Sequence, residues 1–210
     1  MKKLIAILCA LLLTCAAFSA LADQLYKANM PDTLRALIAG KSFKASITGW
    51  EMTGEDEDTK FTLSVTVCER DEFEAAVIEN LAEHDILFFG NGMGVVVKEA
   101  VADEFGITVK DFQDDSYFFT KTEDGTYTAT TETEYPFWTE VFTIKAPLEK
   151  DISFLDWSDP ENLEAPVKRD YDAFIDLLQE GTNFSPYNTQ VTFDENGKLV
   201  EFLYSYSPWN

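Results

Sequence analysis

Past residue 30, the spacing of apolar positions changes period several times, and each change predicts an element. Leu34, Leu37 and Ile38 share one helical face between Pro31 and Gly40, so a short helix is expected from Asp32 to Ile38. Strict alternation follows, with Phe43, Ala45 and Ile47 on one side of a first strand and Phe61, Leu63, Val65 and Val67 on one side of a second. The polar run Thr53-Gly54-Glu55-Asp56-Glu57-Asp58 between them predicts a hairpin with an acidic tip. From Asp71 to Glu83 the period becomes helical, with Phe73, Val77 and Leu81 four apart and Asp71-Glu72 at the end that favours acids.

From Asp85 onward, short apolar runs are separated by turn signals. Ile86–Phe89 and Val95–Val97 flank Gly90-Asn91-Gly92, and Asp103-Glu104-Phe105-Gly106 precedes a strand beginning at Ile107 and Val109. Tyr117–Thr122 and Thr126–Thr131 flank Glu123-Asp124-Gly125, and Trp138, Val141, Phe142 and Ile144 suggest another strand. Residues 147–167 hold Pro147, Pro160 and Pro166 and no sustained period, so an ordered crossing segment is expected, with Phe154, Leu155 and Trp157 packed on the sheet. A helix from Asp170 to Glu180 is predicted by Tyr171, Phe174, Leu177 and Leu178, with Gly181 as its stop. Gln190–Phe193 and Leu199–Tyr206 close the chain as strands around Asp194-Glu195-Asn196-Gly197. The expected class is α+β: mainly antiparallel, a small barrel-like sheet with two or three short flanking helices.

The first 22 residues follow a different rule. Lys2 and Lys3 precede an uncharged run from Leu4 to Phe18, and Ala20-Leu21-Ala22 places small residues at the positions a signal peptidase reads. Cleavage after Ala22 is the expectation, leaving residues 23–210 as a single secreted domain, within which 147–210 is a candidate C-terminal subdomain. Lipidation at Cys15 is disfavoured by Thr14 before it and by the apolar or small residues that follow. A retained anchor would have only the 19 uncharged positions from 4 to 22, barely a bilayer's span. All three readings put the remainder of the chain outside the cell, and cleavage implies no later membrane insertion.

Removing the leader sharpens the charge. All 38 acidic residues lie after it, against 14 of the 16 basic ones, so the mature chain carries a formal charge of −24. A field of that sign disfavours nucleic acid and anionic lipid as partners. Cys9 and Cys15 leave with the leader, so Cys68 is the single cysteine expected after cleavage.

The spacing Leu81…Asp85-Ile86-Leu87…Val95-Val96-Val97-Lys98…Asp103-Glu104-Phe105-Gly106-Ile107 resembles that of small uncharacterised secreted proteins of anaerobic Gram-positive bacteria. Pro136-Phe137-Trp138-Thr139-Glu140 and Pro186-Tyr187-Asn188-Thr189 with the terminal hairpin extend the resemblance over most of residues 71–210. It implies one extracellular domain and transfers no catalytic residue.

Catalytic patterns are sparse. Cys68 and His84 are the only mature Cys and His, and they read as a partly buried strand residue and a helix-terminal residue rather than a nucleophile and its base. No Gly-x-Ser-x-Gly elbow occurs, and one Cys with one His cannot build a structural zinc site. Glu55–Asp58, Asp111…Asp114-Asp115 and Asp156…Asp159…Glu161 are acidic enough for calcium but lack the spaced loop, so solvated turns are expected. Gly90-Asn91-Gly92-Met93-Gly94 lies between strands and reads as a hairpin turn, not a phosphate loop. No cofactor, metal or catalytic residue is therefore assigned.

Aromatic side chains are the remaining candidates for binding. Trp50, Trp157 and Trp209 fall at strand ends or in irregular segments, where a ring can meet a sugar or peptide. The expected function is an acidic, non-enzymatic accessory or binding domain for an extracellular protein or glycan. A small carboxylate-dependent hydrolase and a calcium-stabilised surface module are the alternatives.

Overall fold

The computed structural model describes residues 32–54, 59–162 and 164–207. The leader, the tip at Glu55–Asp58 and Trp209 lie outside the described residues. In order, the elements are α1 (Asp32–Ile38), β1 (Ser42–Thr53), β2 (Lys60–Arg70), β3 (Glu72–Phe73), α2 (Ala75–Ile78), β4 (Ile86–Phe88), β5 (Gly94–Ala102), β6 (Ile107–Asp111) and β7 (Ser116–Lys121). Then come β8 (Tyr127–Thr131), β9 (Trp138–Leu148), β10 (Ser153–Trp157), β11 (Val167–Arg169), α3 (Tyr171–Gln179), β12 (Thr189–Phe193) and β13 (Leu199–Ser205). The class is α+β, strand-rich and mostly antiparallel, and one sheet curls into a half-barrel. Among the described residues, no helix is long and apolar enough to cross a membrane.

The described chain divides into two compact units, with boundaries after Val67 and after Val141. β2 carries the chain into the second unit and β9 carries it back. Residues 147–207 fall in the same unit as 32–67, because β12 pairs with β1 at Ser42–Thr192 and Lys44–Gln190.

The first unit contributes to a seven-stranded sheet in the order β11-β10-β13-β12-β1-β2-β9. Alternation on β2 buries Phe61, Leu63, Val65 and Val67, as the period-two pattern requires. Helix α3 supplies the facing stripe. Asp170 caps it by accepting the Ala173 N–H at 2.9 Å, and Gly181 ends it at φ 78°. Phe174 then sits fully buried, its ring centroid 4.4 Å from that of Phe202 and 5.1 Å from that of Phe154. The segment expected as an ordered crossing forms strand β10 and leads into β11. β10 runs parallel to β13, so Phe154 lies beside Phe202 in register.

The second unit is a six-stranded sheet ordered β3-β8-β7-β6-β5-β4. Its core gathers Leu87, Phe89, Val95, Val97, Val109 and Phe119 on one face. The helix expected from Asp71 to Glu83 shrinks to the four residues of α2. Tertiary pairing outcompetes its period: Phe73 pairs with Tyr127 in β8, and its ring packs edge-on at 5.3 Å from both Phe89 and Phe119. Asp71, expected to favour a helix start, is buried, and its carboxylate accepts the Gly90 N–H at 2.7 Å and the Thr139 hydroxyl.

Candidate functional site

Because one face of the second unit's sheet is packed, alternation sends the other set of side chains outward. On β4 and β5 these are Ile86, Phe88 and Val96, with Ile86 opposite Val96. A bulge between Val97 and Glu99 shifts the register, after which Glu99 stands opposite Lys110 and Val101 opposite Thr108. The second of these rows continues across β6 and β7: Thr108 is opposite Phe118, and Phe118 is opposite Thr130. Phe105, at the β5–β6 turn, is 80% exposed, and Phe88 is 71% exposed.

Two hollows lie on this face and share Thr108. One, of about 260 Å³, is bounded by Asp103, Phe105, Gly106, Phe118 and Thr120; the other, of about 300 Å³, by Glu99, Val101 and Lys110. Gly106 holds the turn close to β7. Its φ is 153°, and a Cβ there would overlap the Phe119 carbonyl oxygen. Phe105 is therefore carried on a turn whose backbone admits only glycine at the next position. The turn is further fixed by Asp103, whose carboxylate accepts the Phe105 N–H at 2.8 Å and the Gly106 N–H at 3.1 Å.

Apolar floor and acidic surroundings define the chemistry. Residues 68–141 hold 18 acidic and four basic side chains, a net −14. Two of those four bases are already engaged. Lys98 pairs with Asp114, whose hydrogen bond holds the ammonium above its usual pKa, and Lys121 pairs with Glu79 at 2.8 Å.

The acidic clusters act as turn staples. Asp111, buried, accepts the N–H groups of Gln113 and Asp115 at 2.8 and 2.9 Å. Asp156 accepts the Ser158 amide and hydroxyl at 3.0 and 2.6 Å and the Arg169 Nε at 3.2 Å, while Asp159 accepts the Glu161 N–H at 2.9 Å. Among the described residues, no group of three or more His, Cys, Asp or Glu is arranged to hold a metal ion. Gly90–Gly94 forms the expected hairpin turn, closed by Gly92 N–H to the Phe89 carbonyl at 2.9 Å.

Cys68 is buried in β2, whereas His84 is exposed before β4 at φ 73°, its ring 5.2 Å from that of Phe112. Trp50 is 39% exposed on β1, its ring 5.6 Å from that of Phe61. Trp157 ends β10 half-buried and donates its Nε1–H to the Asn162 carbonyl at 3.0 Å. β10 and β1 are separated by β13 and β12, so the two tryptophans lie on non-adjacent strands.

Nothing among the family models, curated proteins or solved structures compared with this chain matches it.

Trp50 and Trp157 both belong to the seven-stranded sheet and not to the outward face of the second sheet. A signal for it exists in the chain: Ile86–Phe89, Val95-Val96-Val97 and Phe118-Phe119 are apolar at consecutive positions. A strand buried on one side alternates, so adjacent apolar residues mean that both faces are apolar.

Proposed function

We propose that this chain is a secreted, acidic, non-enzymatic binding domain whose binding surface is the outward face of the second unit's sheet. The partner is an extracellular protein. The observation that carries this reading is the exposure of Val101, Phe105 and Phe118 around two adjoining hollows, on a face opposite a packed core. Contiguous exposed apolar surface of this kind marks interaction sites. Full burial of each of the three side chains contributes about 1.5–3 kcal/mol, set against the cost of ordering two partners, which suits reversible association. Phe, Val and Thr side chains favour a protein over a sugar, since the face lacks Trp and Tyr among its outward strand residues.

Secretion is supported by the leader pattern of residues 1–22. The non-enzymatic reading is supported by Asp71 and Asp111, the two carboxylates buried among the described residues, both engaged by backbone N–H groups of neighbouring turns.

The test begins with the secreted product, whose intact mass should correspond to a chain starting at Asp23. That product is then applied to a combined peptide and glycan array, beside a variant carrying Phe105→Ser and Phe118→Ser. Peptide spots bound by the parent and lost in the variant are the expected result. Signals confined to glycans, or peptide binding equal in both proteins, would overturn the assignment.

A further inference from the structure

Resting on that reading, one feature of the same sheet specifies what the partner must present. β4 pairs with β5 only along Gly94–Val96, and the main chain of His84 and Asp85 extends that contact to Val97. Beyond Val97 no described strand lies on that side, since the sheet order ends at β5-β4. Residues 98–102 are thus an open edge. Asp103 donates its N–H to the Gly106 carbonyl at 2.9 Å, and Ala102 is opposite Ile107. Strand alternation therefore turns the N–H and C=O groups of Ala102 and Ala100 away from β6. These groups have no backbone partner among the described residues.

Native edges are commonly blocked by an inward or overlying lysine. Here Lys98, the residue placed to do so, is drawn to Asp114. The outward side chains along the edge read Glu99, Val101, Asp103: acidic, apolar, acidic, two residues apart and all exposed. Lys110 stands across from Glu99 on the sheet side, leaving its other side open. A second copy of this chain added at the edge would set like charges against Glu99 and Asp103, in a unit already at −14.

We propose that the edge of β5 from Glu99 to Asp103 takes an extended basic-x-apolar-x-basic segment of the partner protein as an additional strand. The added backbone pairs with Ala100 and Ala102. Its apolar residue extends the Val101–Thr108–Phe118 row, and its two basic residues meet Glu99 and Asp103. Main-chain pairing supplies affinity, and the alternate side chains supply selectivity.

The probe is a capped nine-residue peptide with Thr at every even position and Lys and Val alternating at the odd ones, titrated into the mature chain. Expected results are protection of the Ala100 and Ala102 amides from hydrogen exchange, and at least a tenfold affinity loss when Glu replaces Lys. Methylating the alternate backbone nitrogens of the probe should cost a similar factor, as should Ala100→Pro, which removes an outward N–H without breaking the β5–β6 ladder. The methylated probe stands independently of whether that variant folds. Unchanged binding of the methylated peptide, with loss in the Phe105→Ser, Phe118→Ser variant, overturns strand addition and leaves the apolar-face reading intact. Binding indifferent to all of these changes overturns both, and no binding at millimolar peptide overturns the strand proposal.

Discussion

Asp156 shows how single acidic residues are used in a chain so rich in them. Burial raises the pKa of its carboxyl, but the Ser158 hydroxyl, the Ser158 amide and the Arg169 guanidinium outweigh this and bring it below the usual aspartate value. A depressed folded pKa contributes stability above the unfolded value, near 3.9, and loses it as pH falls through the folded value. Asp156→Asn keeps an acceptor for Ser158 and removes the charge that Arg169 meets. The melting temperatures of the parent and Asp156→Asn should therefore differ by a constant amount from pH 7 to about pH 5. That gap should narrow below about pH 4. A gap that widens in acid would contradict the assignment. The sequence marked Asp156 as one of a cluster, but nothing in it could name Arg169, 13 residues away, as the partner.

Elements in this fold are placed by a few close approaches as much as by periodicity. The clearest is in the second unit, where the turn after β4 meets the ends of β2 and β9. Gly90 lies there without a left-handed backbone; its requirement is space. A Cβ built on it would overlap Thr139 Oγ1 and come within 2.6 Å of Thr139 Cβ and 2.8 Å of Asp71 Oδ1. The same carboxylate accepts both the Gly90 N–H and the Thr139 hydroxyl, so neither neighbour can retreat without releasing a buried acceptor. Gly90→Ala should destabilise the protein by about 2–4 kcal/mol, read as a lower urea midpoint with unchanged slope. A change below about 0.5 kcal/mol would show that the turn relocates freely. Along the chain, Gly90 is legible as a turn residue, and its packing role is not. The same holds for Asp71–Glu83, whose helical period is real yet yields one turn of helix, because Phe73 is drawn into pairing with Tyr127.

At the scale of the whole molecule, charge is the dominant property. A chain with a formal charge of −22 repels itself, and the described ion pairs are mostly between exposed side chains, each worth little. Raising the salt from 10 to 150 mM shortens the screening length from about 30 to about 8 Å. The protein should gain about 1 kcal/mol over that change, or roughly 2–4 °C in melting temperature. A fall in melting temperature would mean that local ion pairs outweigh the net repulsion. The division into two units is likewise a property of the whole. No composition break marks Val67 or Val141, because both lie inside continuous strands.

Sequence alone determined the strand-rich α+β class, most turns, the glycine stop of α3 and the acidity, since period, turn chemistry and charge are local properties. It also carries a leader-like pattern over residues 1–22. Only the tertiary structure decided that residues 153–157 form a parallel strand, that the Asp71–Glu83 helix collapses, and that Glu99–Asp103 is an open edge. Each depends on which strand lies alongside, and strand neighbours far apart in the chain are chosen by packing rather than by local pattern.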